Sequence, residues 1–382
     1  MNKKLIFRLV LGAVALGVLG FGAWIFSLPD APIVEGPPRV PQAEYDATLA
    51  ALKPPKRARP VIAIVGANEG TETTDYLMPF GILKRADVAE VFALSTMPGP
   101  VQLYPAFKVD PQATISDFDA QHPDGADYVI VPAMKRTDDP AVLNWIKAQH
   151  EKGATIIGVC VGALVVANAG LLDGRRATAH WYVLHDMLEQ HPAIQYVENR
   201  RLVVDRGVAT TTGIFTSMSM SLVLIEAIAG REKATAVAEQ LGVQRWGIRH
   251  NRAVFKFTRP FALTAMRNKL KFWNHQEFGL GLKNGDDEVT LALVADAWSR
   301  TFRSRAVAIA ATMDAIESRN GMRILPEQLA AGWPANQLLE PVGSQPAADA
   351  LDDALNQITV RYGIDTARFV AMQLEYTRQA GL

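Results

Sequence analysis

The sequence predicts an α/β fold: a parallel-sheet, three-layer sandwich after an N-terminal transmembrane helix, with a C-terminal α/β extension. Three observations predict it. Short β-branched runs alternate with helical stretches from residue 60 onward, the pattern of a parallel sheet covered on both faces. A strand and a helix meet at Cys160 within Gly158-Val159-Cys160-Val161-Gly162, where small neighbours allow a sharp reversal. Leu9 to Leu28 carries no charge over twenty residues, which at about 1.5 Å each match a bilayer span.

The chain opens on a basic start, Lys3, Lys4 and Arg8, ahead of that charge-free run. The exit Phe26-Ser27-Leu28-Pro29-Asp30 lacks the small residues of a cleavage site, so an uncleaved signal anchor is expected. The positive-inside bias then predicts a single-pass inner-membrane protein with its main domain in the periplasm. A single cysteine forms no internal disulfide. Residues 29–59 are rich in proline, with a short helical piece around Ala43 to Leu52, and read as a spacer. Lys plus Arg and Asp plus Glu each number 39, and this balance gives no reason to expect nucleic acid as a partner.

Val61 to Val65 reads as a buried strand, followed by a helix from about Asp75 to Ala86. Val88 to Ser95 and Asp127 to Val131 are further strands, and Pro140 to Lys152 a helix before the strand at Thr155 to Val159. Val203-Val204 and Val208 to Thr212 suggest a hairpin, and Ser217 to Gly230 a long closing helix. Ligands in such sheets bind beyond the carboxyl ends of the strands, where Cys160 would lie.

Cys160 between two glycines has the pattern of a nucleophile elbow with sulfur in place of oxygen. A helix N-terminus behind it would favour thiolate; the plain alternative is a small buried hydrophobe. The segment GVCVGALVVANAGLLDGRRATAHW resembles the elbow of the ThiJ/PfpI family, part of the class I glutamine amidotransferase-like superfamily. It is most similar to the amidase-like sensor domain of AraC-type regulators, alongside the isocyanide hydratases. The resemblance runs from about Pro60 to Val243 and implies a flavodoxin-like, amidotransferase-like domain there.

The resemblance also implies partners for the sulfur. Asp75, four residues before Pro79, matches the family's carboxylic residue, which as a protonated acid could donate to the sulfur or to substrate. A simple helix N-cap is the alternative for Asp75. His180 in Ala177-Thr178-Ala179-His180-Trp181 matches the family histidine, a general base or a cation beside thiolate. Glu69 and Glu72 read as parts of a solvated loop, and His185 and His191 as surface groups. Val161 stands where other branches carry histidine or threonine, and supplies only its backbone N–H to an oxyanion hole. Val131-Pro132-Ala133-Met134 replaces the family's glycine pair, which leaves Ala133 or Met134 as the second donor. No metal and no cofactor is expected.

Beyond Val243 the helix-turn-helix of the AraC-type relatives is absent. Arg245 to Lys271 holds eight Arg or Lys and no acidic residue, which suggests a lipid-facing or partner-facing segment or an ordinary solvated face. Val289 to Val294 and Ala306 to Ala311 look like strands. Together with Ala347 to Tyr376 they suggest that residues 244–382 hold a shortened second copy of the fold, or a plain appendage. The expected units are thus residues 1–28, 29–59, 60–243 and 244–382. A homodimer and an intrachain pseudo-dimer both remain open. Two functions fit. One is hydrolase or lyase chemistry on a small electrophile at Cys160, with Asp75 and His180. The other is a non-catalytic ligand-binding or redox-sensing module.

Overall fold

The computed structural model describes residues 3–31 and 36–377. In chain order, α1 (Lys3–Ser27) and α2 (Gln42–Ala51) precede β1 (Val61–Gly66), β2 (Thr71–Glu72), α3 (Thr73–Ala86) and β3 (Glu90–Ser95). A side hairpin of β4 (Val101–Tyr104) and β5 (Lys108–Asp110) leads to β6 (Ala113–Thr114), α4 (Ile115–Gln121), β7 (Tyr128–Val131) and α5 (Pro140–Glu151). Then come β8 (Thr155–Gly158), α6 (Gly162–Asn168), β9 (Arg176–Ala177), α7 (Leu184–Gln190), β10 (Gln195–Tyr196), β11 (Leu202–Asp205) and β12 (Val208–Thr211). Helices α8 (Thr216–Ala229) and α9 (Arg231–Gln240) close the unit.

The central sheet has seven strands in the order β11-β12-β8-β7-β1-β3-β6. All pairings are parallel except the β11–β12 hairpin at its edge. Alternate strand residues serve opposite faces. Ile62, Ile64, Tyr128, Ile130 and Ile157 enter one core with α3 and α8, while Val61, Ala63, Val129, Val131 and Ile156 enter the other with α5 and α6. This is the layered architecture expected for residues 60–243.

Beyond it lie α10 (Arg259–Leu270), β13 (Gln276–Gly281), α11 (Glu288–Ser299), β14 (Ser304–Ala310), β15 (Ile316–Glu317), β16 (Arg323–Ile324), β17 (Gln328–Leu329), α12 (Ala347–Tyr362) and α13 (Ile364–Gln373). β13 and β14 are parallel, with α11 crossing between them, and β17 adds to β14. The run Val289 to Val294, expected as a strand, belongs to α11. Asp287 caps that helix by accepting from Val289 N–H, and nearly every residue of the helix is buried. An all-round apolar helix shows no 3.6-residue period and imitates a buried strand. Ala306 to Ala310 is a strand, as expected.

The two halves join without a break. Leu293, Leu351 and Phe369 share one apolar cluster with Ile62, Tyr76 and Leu222. Gly81 of α3 faces Glu288 and Val289 of α11, and a Cβ there would lie 2.5 Å from the Glu288 carboxylate. Arg85 forms an ion pair with Asp287, and β5 runs antiparallel to β16.

The N-terminal expectation is overturned. Among the described residues no helix is long and apolar enough to cross a membrane. The transmembrane anchor, the inner-membrane location with a periplasmic domain, and the membrane as partner fall with it. Gly12, Gly17, Gly20 and Gly22 punctuate the stretch. Its last turn is also engaged with protein, Ile25 being buried and the Trp24 and Phe257 ring centroids lying 6.1 Å apart. Met1, Asn2 and the side chains of Lys3, Lys4 and Arg8 lie outside the described residues, as do Pro32 to Glu35 of the spacer.

The basic stretch is engaged internally as well. Arg249 donates to the carbonyls of Pro37 and Pro38, Arg252 pairs with Glu198, Arg259 with Asp30 and Arg267 with Asp365. It therefore ties the spacer and the second half to the first.

Candidate active site

The elbow is built as its glycines require. β8 ends at Gly158 and α6 begins at Gly162, and Cys160 between them sits at φ +57°, a backbone conformation that strains a residue with a side chain. A Cβ at position 162 would lie 1.9 Å from the Val131 carbonyl oxygen, and one at position 158 would lie 2.9 Å from Ala163 Cα. Glycine is therefore the residue that lets the helix start against the ends of β7 and β8. Cys160 N–H donates to Thr211 Oγ1 at 3.2 Å, which anchors the bend to β12.

The thiol does not acquire the thiolate character expected of a helix N-terminus. Cys160 is 3% exposed. Burial pushes its pKa well above the ordinary cysteine range, and the charges of Asp75, Glu72 and Glu375 add to the shift. The Val161 N–H hydrogen bond to sulfur works the other way but is outweighed. One backbone donor on a seven-residue helix cannot offset desolvation beside several carboxyls.

Asp75 lies in the first turn of α3, fully buried. Its Oδ1 accepts from Ser217 Oγ at 3.0 Å and its Oδ2 from Ala133 N–H at 3.2 Å. Burial, then the Glu72 charge, raise its pKa well above the carboxylate range. The cap of α3 is Glu72, whose Oε2 accepts from Asp75 N–H at 2.6 Å and from Thr74 Oγ1 at 2.7 Å. That corrects two expectations: Asp75 is not the N-cap, and Glu72 is buried rather than part of a solvated loop.

His180 is brought into the same region, but its ring nitrogens are engaged by other partners. Its Nδ1 accepts from Tyr182 N–H at 3.2 Å, and its Nε2 lies 3.4 Å from the Gln373 carbonyl of α13. Burial lowers its pKa to about 3. It is thus a neutral imidazole with Nε2–H pointing at that carbonyl, and no hydrogen bond joins it to Cys160 or Asp75. Of the expected oxyanion donors, the Val161 N–H is on the sulfur and the Ala133 N–H is on Asp75. Met134 is held in a bridge to Thr71. His185 is exposed, whereas His191 is half-buried with Nε2 2.9 Å from Asn168 Oδ1.

Several groups around the thiol were not singled out in the sequence. Arg300, the C-cap of α11, donates from Nη2 to Glu72 Oε1 at 2.8 Å and from Nε to Asp296 Oδ1 at 2.7 Å. Burial raises the Asp296 carboxyl to about 7 against the pull of Arg300. Arg300 is thus the cation inside a cluster of acids that also contains Asp75. Glu375, just past α13, accepts from Gly213 N–H at 2.7 Å and covers the other side. The Asp-x-x-x-Arg spacing of Asp296 and Arg300 was a readable signal for a helical ion pair; Glu375 carried none. Among the described residues no group of three or more His, Cys, Asp or Glu could hold a metal ion.

Comparison with known proteins places this geometry. Residues 61–227 match the DJ-1/PfpI family. The transcriptional regulator CdhR of Pseudomonas aeruginosa is 34% identical over 110 residues, which are 29% of this chain and 32% of the regulator. An isonitrile hydratase of Pseudomonas putida is 36% identical over 104 residues, 27% of this chain and 44% of the hydratase. The match thus spans under half the length of either relative. A Danio rerio homologue of Parkinson disease protein 7 is 27% identical over 184 residues, 47% of this chain and 95% of the homologue. Among solved structures, oxidized Toxoplasma gondii DJ-1 aligns over 49% of this chain and all of its own, at 25% identity and a TM-score of 0.43. Residues 61–227 of this chain are a DJ-1/PfpI family domain.

Proposed function

We propose that this chain is a DJ-1/PfpI module that binds a small molecule and does not turn it over at Cys160. The observation that carries the reading is the state of the sulfur: a 3%-exposed thiol, raised in pKa and ringed by buried acids. A nucleophile or a redox sensor needs thiolate and access. Two further facts support the reading: His180 faces Gln373, and the Val161 and Ala133 N–H groups are engaged by the sulfur and by Asp75. The regulator CdhR among the relatives fits a binding role.

Iodoacetamide alkylation of the native chain against pH tests this. Cys160 should react more than about 100-fold slower than a free thiol at pH 8, with no inflection below the free-cysteine value of about 8.5. An inflection near pH 6 or 7 would refute it, as would turnover of small aldehydes or isonitriles that Cys160→Ser abolishes. The retained strain at Cys160 favours a second reading, in which displacement of residues 374–377 opens the same thiol to substrate. Alkylation that accelerates on adding a ligand would support that alternative.

The region after residue 275 supports an intrachain pseudo-dimer. In this reading β13-α11-β14, the β15–β16 hairpin and β17 repeat β1-α3-β3, the β4–β5 hairpin and β6, while α12-α13 repeat α8-α9. Each helix pair turns on a glycine of similar backbone, Gly230 at φ 88° and ψ 168° and Gly363 at φ 91° and ψ 158°. Helix α11 covers α3 and β16 pairs with β5, so the half-copy packs directly on the first half. Sedimentation of the full chain should give one chain per particle. A dimer cross-linked through Lys84 of α3 would refute it.

A further inference from the structure

The polar groups between the C-terminal segment and the loop after α9 are not absorbed by the reading above. A cleft of about 590 Å³ opens there, a size suited to a small organic ligand. Four arginines line it, against Glu375 as the acid among its described lining residues.

These arginines are not equally engaged. Arg231 donates to Glu226 at 2.9 Å and stacks on Trp246 at 4.2 Å. Arg249 reaches the neutral carbonyls of Pro37 and Pro38 and holds no ion pair among the described residues. Arg201 donates from Nη1 to Ser219 Oγ at 3.0 Å, while its buried Nε has no partner among the described residues. Arg245 is exposed and holds no ion pair among the described residues. Burial raises the Glu375 carboxyl above its ordinary range against the pull of Arg201. Phe215 and Trp246 give the cleft an aromatic wall.

We propose that this cleft binds a small organic anion, a carboxylate or phosphate on an aromatic or bulky apolar body, with the Arg201 guanidinium as its principal anchor and Arg245 as its second. A buried guanidinium with an open N–H is the group best matched to a planar or tetrahedral oxyanion. The aromatic wall takes the apolar body. The proposal rests on the binding reading and supplies its ligand class. Because Glu375 lines the cleft and bears on the Cys160 thiol from its other side, an occupant would sit one carboxyl away from the elbow.

Calorimetry on the full chain with benzoate, phenyl phosphate and the neutral isostere benzamide tests it. One of the two anions should bind with unit stoichiometry, at least tenfold tighter than benzamide, and which of them wins distinguishes carboxylate from phosphate. Arg201→Gln should weaken that anion at least tenfold. Should Arg201→Gln fail to fold, Arg245→Glu at its exposed position should still weaken it several-fold and flatten the loss with salt. Neither anion binding tighter than benzamide, no saturable heat from either anion, or Arg245→Glu binding like the native chain would overturn the proposal. Turnover at Cys160 would instead overturn the binding reading while leaving anion binding in the cleft measurable, so the two failures are distinct.

Discussion

Residues 61–240 and residues 276–373 use the same devices to different ends. Each places a parallel strand pair around a buried helix, α3 in the first and α11 in the second, and each caps that helix with an acid, Glu72 or Asp287. Each ends in two helices joined at a left-handed glycine. The first continues its sheet to seven strands and builds the elbow; the second stops at β13-β14-β17. What the second half lacks in chemistry it returns as cover. Arg300, Gln373 and Glu375, which surround the thiol region, all come from beyond residue 275. The difference teaches that a fold can retain an elbow while the chain's own second half supplies the groups that surround it.

The largest contrast should come from glycine. Gly162→Ala would drive a methyl onto the Val131 carbonyl, where a Cβ has 1.9 Å. We expect a loss of at least about 4 kcal/mol, as for severe overpacking against backbone. Gly281→Ala in the second half meets open space and should change stability by less than about 1 kcal/mol. Urea unfolding of both variants reads the difference, and a tolerated Gly162→Ala would break the account of the elbow.

Next in size is the seam. Arg300→Met leaves Glu72 and Asp296 without the cation that bridges them. Breaking a buried pair on one side costs about 3–5 kcal/mol. Part of that should be recovered on acidification, because Asp296 already sits at about 7 and takes a proton readily once its partner is gone. An equal loss at pH 5.5 and pH 8.5 would show that the charge cluster is not what joins the halves.

The elbow was legible because its constraint is local: the Gly-x-Cys-x-Gly spacing and the apolar runs on each side suffice to place a bend. Asp75 was legible through its match to a family position. Glu72 was misread because a capping role depends on where the helix begins, and Thr73 and Thr74 gave no sign of the start. Helix α11 was misread for the opposite reason, since burial on every side erases the amphipathic period. The N-terminal run was read from its length, its apolar charge-free composition and the basic residues before it. The orientation of His180 was not legible at all: it is set by Gln373, 193 residues away in sequence.

That histidine provides a pH test of the seam. His180 is held at about 3 in the fold but returns to about 6.5 when unfolded. Between these values the unfolded chain binds a proton that the folded chain refuses, so stability falls as pH drops below about 6.5. From pH 8 to pH 5 the loss is about 2 kcal/mol for this residue. His250, also at about 3, adds a similar slope, and the raised carboxyls of Asp75, Asp296 and Glu375 oppose it. Comparison with His180→Gln cancels those contributions. The variant should gain about 2 kcal/mol on the native chain between pH 8 and pH 5. A constant difference would place His180 in solvent contact, and with it reopen the site.

The smallest expected effect bears most directly on the repeat. Gly230 and Gly363 adopt nearly the same backbone, φ 88° and 91° with ψ 168° and 158°, in a region that residues with a Cβ rarely enter. Neither has any atom within 4 Å of an added methyl, so an alanine at either position meets backbone strain and nothing else. Each substitution should cost about 1 kcal/mol, and the two should agree within about 0.5 kcal/mol. Their double variant should be additive, since no packing neighbour of one is altered by the other. Unequal costs would mean that the two helix pairs share a shape without sharing the turn that makes it, and the comparison would then rest on α3 and α11 alone.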